Sequence, residues 1–210
     1  MPITIYPKGG GKSLLCTAEN VKSFFAIEWL NEIIFSSRLT RWRSAVSHRI
    51  AHYSKWVHPR QKWLGHYFAK ELGKERFPHL AISWIDDRLG YGLFAEQSLP
   101  SFSYIGEYAG VVRLRPLFGA LKNPYLFEYF IAEGLGTPYV IDARRYGNHV
   151  RFINHGCNPN AETASAWHQG RSRIIVHTSQ PISPGEQISY DYGMDYWIRR
   201  EQPIAIPKTR

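Results

Sequence analysis

Residues 151–160 read RFINHGCNPN. His155 and Cys157 stand two apart, the spacing of a metal pair or of a thiol nucleophile beside its base. Neither chemistry is completed nearby. A metal pair needs further ligands, and the only other cysteine, Cys16, lies far off in a polar N-terminal stretch. A catalytic thiol needs a base and an exposed, electropositive setting, and His155 is too close in sequence to be an obvious partner. Cys157 therefore reads as structural, and no metal site is expected. What remains is a segment of amide and imidazole groups, followed some thirty residues later by the phenols of ISYDYG, Ile188 to Gly193.

The elements that must position these groups are bounded by the totals. The chain has 210 residues, 44% hydrophobic and 15% aromatic, so it can bury a real core. Two cysteines cannot build a disulfide framework, which is compatible with a reducing compartment. No apolar run approaches the roughly 18 residues of a membrane span. The first twenty residues lack the apolar core of a signal peptide. A cytoplasmic location is expected, or export to a host cell nucleus by a route without a cleaved signal.

Net charge is +9 and unevenly placed. Residues 1–80 hold 13 Lys/Arg against 5 Asp/Glu, whereas 81–210 hold 13 against 12. Arg38, Arg41, Arg43, Arg49, Lys55, Arg60 and Lys62 follow one another with no acid between them. Such a segment contacts nucleic acid or an acidic protein surface, or is simply the solvated face of a helix.

ITIYPKGGGKSLL at the start tempts comparison with a phosphate loop. The position where that loop needs its first glycine is Tyr6, so Gly9 to Gly11 read as a turn. From Asn20 to Phe35, Phe24, Ile27, Leu30 and Ile34 recur at helical spacing. Helix is also expected over 36–56 and 61–72, with Pro59 separating the two. After Pro78 come short runs rich in β-branched and aromatic residues, punctuated by Gly, Pro, Asn and Ser. The reading is a basic helical region over 1–79, a β domain over 80–195 and a closing segment over 196–210.

The motifs stand in a distinctive order: GYGLFA from Gly90, GEYAGVVR from Gly106, YLFEY from Tyr125, YVIDARRYGNHVRFINHGCNPN from Tyr139 and ISPGEQISYDYG from Ile182. This order resembles the SET-domain family of protein lysine methyltransferases. The resemblance implies a mainly β fold of several small twisted sheets with a C-terminal pseudoknot, here with a helical N-terminal extension. It implies S-adenosylmethionine as methyl donor, S-adenosylhomocysteine as product, and a lysine acceptor. Methyl transfer from a sulfonium to an amine is an in-line displacement that asks for positioning and desolvation.

Carried over position by position, the resemblance places Asn154 and His155 in the cofactor site, with Arg151 bracing them. Gly90, Tyr91 and Gly92 would let the backbone approach the cofactor. Tyr192 matches the catalytic position. Tyr108, Tyr125 and Phe152 would wall the lysine channel, where ring faces favour a methylammonium. Tyr190 stands at the family's Phe/Tyr switch, and its hydroxyl favours mono- or dimethylation. The acceptor must lose its proton from a pKa of roughly 10.4, so activity should rise toward alkaline pH.

Two departures matter. Gly156 stands where the family usually has Ser, a change expected to touch local rigidity more than chemistry. No Cys-rich segment flanks the domain on either side, so Tyr196, Trp197 and Ile198 are expected to fold over the cofactor as a lid without zinc. A bare domain with a helical front is similar to the small bacterial SET proteins of the chlamydial type. That likeness implies a Lys-rich substrate, a histone or histone-like protein, with DNA contacted through residues 38–62. The competing reading is a catalytically quiet SET fold that binds Lys-rich tails or DNA.

Overall fold

The computed structural model describes residues 3–36, 57–74, 76–116, 123–130 and 137–197. Three helices occur there: α1 (Ala18–Phe25), α2 (Pro59–Tyr67) and the short α3 (Met194–Trp197). The strands of the first half are β1 (Ile3–Tyr6), β2 (Leu14–Leu15), β3 (Glu28–Trp29), β4 (Ile34–Phe35), β5 (Leu80–Asp86), β6 (Gly90–Ala95), β7 (Tyr104–Glu107) and β8 (Val111–Leu114). Then follow β9 (Leu126–Glu128), β10 (Tyr139–Asp142), β11 (Tyr146–Gly147), β12 (Asn154–His155), β13 (Ala161–His168), β14 (Arg171–Thr178) and β15 (Ser189–Tyr190). A 3-10 turn at His149–Phe152 leads into β12.

These strands form several small sheets, as the sequence implied. The orders are β2-β1-β5-β6, β4-β8-β10-β9 and β13-β14-β7, with the pairs β11-β3 and β12-β15. Alternation explains β1. Ile3 and Ile5 are fully buried, while the hydroxyls of Thr4 and Tyr6 each donate to the Glu96 carboxylate at 3.0 Å. The start of the chain thus does precede its glycine turn with a strand, which runs parallel to β5 inside a sheet.

The helical reading of 20–35 needs correction. Thr17 caps α1 by accepting from the Asn20 amide at 3.1 Å, and the helix closes at Ala26, whose φ is 55°. Beyond it the chain forms β3, parallel to β11, and β4, parallel to β8. Ile27 and Ile33 are buried anchors beside these two-residue strands. Short strands joined by a turn carry apolar residues inward every few positions, a period that imitates a helix.

Pro59 also acts otherwise than expected. It is the first residue of α2, where its missing N–H costs nothing. His58 caps that helix, its Nδ1 accepting from Arg60 N, while the Gln61 side chain accepts from His58 N. The helix ends at Tyr67, short of the expected Leu72, and continues as turns. Its seat on β13 is close: a Cβ on Gly65 would lie 1.8 Å from the Trp167 carbonyl oxygen. The helix expected over 36–56 lies outside the described residues apart from Ser36.

A buried ionic group ties the front of the chain to the β domain. Arg173 on β14 donates to Glu107 at 2.8 Å and contacts Glu32 at 2.7 Å, and Glu107 also accepts from the Ile33 amide. Among the described residues no helix is long and apolar enough to cross a membrane.

Candidate active site

The pairing of β12 with β15 decides the site. It is parallel, with Asn154 opposite Ser189 and His155 opposite Tyr190. Two motifs far apart in sequence become neighbours across one ladder. Further bonds lock them. The Tyr192 hydroxyl donates to the Ile153 carbonyl at 2.7 Å, the Tyr192 amide donates to His155 Nδ1 at 3.2 Å, and the Gly156 amide donates to the Tyr190 carbonyl at 3.1 Å.

Around this junction opens a cleft of about 990 Å³, at the upper end of the size range of small-molecule sites. Tyr192, Gly90, Tyr91, Arg151, Asn154, His155, Trp197, Tyr108, Tyr125, Phe152 and Tyr190 all line it. Gly92, expected to lie against the cofactor, is instead buried in β6 and does not line the cleft. A Cβ there would come within 2.6 Å of Ile85 Cδ1, 2.7 Å of the Gln187 side chain and 3.2 Å of the Asn154 amide nitrogen, so its bareness admits all three side chains.

Ring contacts sort the wall into groups. Phe25 at the end of α1 packs against Tyr91 (4.9 Å) and Phe152 (4.8 Å), which draws Phe152 toward the expected cofactor side and not only the lysine channel. Tyr190, Tyr192 and Tyr196 follow one another at 5.0 and 4.7 Å. Trp197 stacks over Tyr192 at 6.1 Å and meets His155 at 4.9 Å. Tyr108 packs on Phe127 at 5.0 Å. The guanidinium of Arg151 sits 3.8 Å over the Tyr125 ring, which joins the 3-10 turn to the wall that carries Tyr125.

Asn154 joins the two sides. Its Nδ2 donates to the Tyr91 carbonyl at 3.2 Å, and its Oδ1 has no partner among the described residues. The indole Nε1 of Trp197 is likewise buried without an acceptor. Among the described residues no three His, Cys, Asp or Glu side chains gather as metal ligands.

Burial sets the proton chemistry. The phenols of Tyr190 and Tyr192 are pushed well above their ordinary value because desolvation penalises the phenolate, with neighbouring tyrosines adding to the effect. Tyr108 is raised by burial too. All three remain neutral hydrogen-bond donors near pH 7. Burial also lowers His155, against the pull of Asp191, consistent with an unprotonated Nδ1 that accepts the Tyr192 amide.

Residues 90–193 match the family model of the SET domain. The chain carries a SET domain. Over 121 residues it is 38% identical to the histone-lysine N-methyltransferase, H3 lysine-36 specific, of Candida albicans, covering 54% of this chain and 14% of that protein. It is 39% identical over 113 residues to histone-lysine N-methyltransferase Set2 of Drosophila melanogaster, covering 50% of this chain and 5% of that one. It is also 34% identical over 108 residues to the inactive histone-lysine N-methyltransferase 2E of Mus musculus, covering 50% and 6%. The chain thus spans 5% to 14% of the length of these relatives. A crystal structure of KRYPTONITE in complex with mCHH DNA, H3(1-15) peptide and SAH aligns with a TM-score of 0.47 and 30% identity, over 58% of this chain and 25% of that one.

Sequence reasoning missed part of the SET-domain cleft. Phe25, Arg88, Phe127 and Arg144 all line it. Phe127 was legible by alternation, since Tyr125 and Phe127 share a face of β9 and its approach. Phe25 comes from the front of the chain, where no motif announces a cleft residue.

Proposed function

We propose that the chain is an S-adenosylmethionine-dependent protein-lysine N-methyltransferase acting on a basic protein of the histone or histone-like class. The observation that carries this reading is the junction itself: Asn154 on β12, its amide oxygen unpartnered among the described residues, and a neutral phenol, Tyr192, two residues beyond the paired β15, line one cleft.

The residues present fit the donor. Among the described residues neither Asn154 Oδ1 nor the Trp197 indole N–H has a partner, so the one can accept from an ammonium and the other can donate, and Gly90 leaves its stretch of the wall without a side chain. Asn154, the backbone at His155, and Trp197 would hold it, with Tyr91 supplying apolar area. When bound, the donor supplies an electrophilic methyl on a sulfonium. Tyr192, its O–H held by the Ile153 carbonyl, turns its oxygen lone pairs toward the acceptor amine and steers it without removing its proton. The aromatic wall of Tyr108, Tyr125 and Tyr190 excludes water, which favours the uncharged amine. Displacement of this kind requires no metal, and chelator treatment should leave the rate unchanged.

Tyr190 is buried and its hydroxyl stands in the tyrosine row beside Tyr192, which supports mono- or dimethylation. Residues 38–56, most of the basic segment proposed to contact DNA, lie outside the described residues; Arg60 and Lys62 are exposed on α2. The place of action follows the substrate: the cytoplasm for a DNA-compacting protein of a bacterial cell, a host nucleus for a histone.

The inactive mouse relative favours the second reading, a quiet module that binds Lys-rich tails. Labelled-methyl incorporation into purified histones and bacterial DNA-compacting proteins separates the two. The transferase reading requires incorporation by the parent chain, lowered on the order of a hundredfold in Tyr192→Phe. Tail binding without incorporation by the parent establishes the other.

A further inference from the structure

The cleft is lined by a charge that its proposed substrate should avoid. Among the described residues Arg115, Arg144 and Arg151 line it against one carboxylate, Glu128, which is already paired with Arg115. A Lys-rich polypeptide approaching such a margin is repelled unless a counter-charge comes with it.

Arg144 stands where this cleft meets a second groove, of about 420 Å³, lined by Arg113, Asp142, Arg145 and Tyr146 among others. The acids near this groove are engaged. Asp142 accepts from Arg113 Nε at 2.8 Å, from Asn123 at 2.9 Å and from the Arg144 amide at 3.0 Å, and lies 2.6 Å from Arg113 Nη2. These bonds hold its carboxyl below the usual range despite partial burial. Glu28, whose amide donates to the Arg145 carbonyl at 2.8 Å, is paired with Lys22 at 2.7 Å. Arg144 and Arg145 are exposed, and neither side chain has a partner among the described residues. Their backbone is nevertheless fixed, by the Asp142 bonds on one side and the β11–β3 pairing on the other. Two unneutralised guanidinium groups are thus presented side by side on a rigid turn at the margin of the cleft.

We propose that the margin of this groove formed by Arg144 and Arg145 is a phosphate-backbone contact that holds double-stranded nucleic acid beside the cleft. Guanidinium forks match phosphate oxygens in pairs. A bound polyanion reverses the local charge, so a Lys-rich tail is attracted where it was repelled. The inference deepens the substrate reading and rests on it only for the identity of the tail. It is separate from the basic segment 38–62.

The test is fluorescence anisotropy of the full chain with a labelled duplex of about 20 base pairs across a salt series. Each phosphate contact contributes about 0.9 to the slope of log affinity against log salt. R144A/R145A should lower that slope by roughly 1.8 and weaken binding at least tenfold at low salt, with an unchanged circular dichroism spectrum. An unaltered slope in R144A/R145A overturns the proposal. So does tighter binding of polyglutamate than of duplex at equal charge, which would make the groove a site for acidic protein. Y192F should bind duplex like the parent. A parent chain that binds no duplex yet transfers methyl to free peptide sinks only this inference, whereas duplex binding by a parent chain without transfer sinks only the transferase reading.

Discussion

The hydroxyl of Tyr192 donates to the backbone carbonyl of Ile153 at 2.7 Å, across 39 residues of sequence. One bond thus joins the phenol expected to steer the amine to the residue preceding Asn154. Removing it separates structural from chemical roles. Tyr192→Phe should lose about 1 kcal/mol of stability, the net worth of a hydrogen bond, yet on the order of a hundredfold in turnover, as when an aligned polar group leaves an active site. Urea denaturation and labelled-methyl kinetics measure the two. Comparable small losses in both would make Tyr192 merely structural. Because the buried phenols stay neutral, parent activity should climb from about pH 6 to 9 as the acceptor lysine loses its proton.

Tyr190 tests the degree of methylation. It is buried beside Tyr192, with ring centroids 5.0 Å apart. Replacing it with Phe frees the volume of one hydroxyl. Product mass spectra should move from mono- and dimethyl-lysine in the parent toward trimethyl-lysine in Tyr190→Phe. Early trimethylation by the parent contradicts the reading.

The closing helix α3 puts Tyr196 and Trp197 on Tyr192 and His155. Truncation after Gly193 removes both rings. Burial of one large aromatic is worth roughly 1.5–3 kcal/mol, so affinity for S-adenosylhomocysteine should fall at least tenfold by calorimetry. Unchanged affinity removes the lid.

His149 makes stability depend on pH. It is buried against Trp29 and Phe77, and Nε2 meets the Ile105 carbonyl at 2.8 Å while Nδ1 has no partner. Desolvation pushes it down to about 4 from 6.5. The unfolded chain binds a proton there that the folded chain refuses, so this contribution is complete above pH 6.5 and is lost as pH falls toward 4. At about 1.4 kcal/mol per tenfold change in proton concentration, the loss approaches about 3 kcal/mol. Urea unfolding at stepped pH should show it, and His149→Gln should flatten the curve.

Gly156 is more constrained than its sequence position suggested. A Cβ there would lie 2.4 Å from Ser189 Oγ and 2.8 Å from Ser189 Cβ. Gly156→Ser, which restores the family's usual residue, should destabilise by about 1–3 kcal/mol through overpacking and loosen the β12–β15 junction. Adding Ser189→Ala should recover part of it. Denaturation midpoints of the single and double variants decide.

Much of the cleft was legible because its chemistry is written in contiguous motifs. Asn154, Tyr190 and Tyr192 are fixed by short segments whose neighbours in sequence are also neighbours in space. The residues that stayed hidden reach the site through the fold. Phe25 arrives because Ala26 turns the chain out of α1, and Arg144 because Asp142 pins the turn that follows β10. The front was misread for a related reason: β3 and β4 are two residues each, held by partners more than 75 positions away. Nothing in a local window distinguishes them from turns of a helix. Gly92 shows the same limit from the other side, since its bareness serves Gln187 and Asn154 beneath it.

The ladder between β12 and β15 joins halves of the cleft that leave a ribosome at different times. A growing chain that has released Asn154 still lacks Tyr190, Tyr192 and Trp197. Until those last aromatics clear the exit tunnel, the nascent protein presents only one wall of the cleft. A ligand that needs both walls therefore cannot assist its maturation before synthesis of this region is finished.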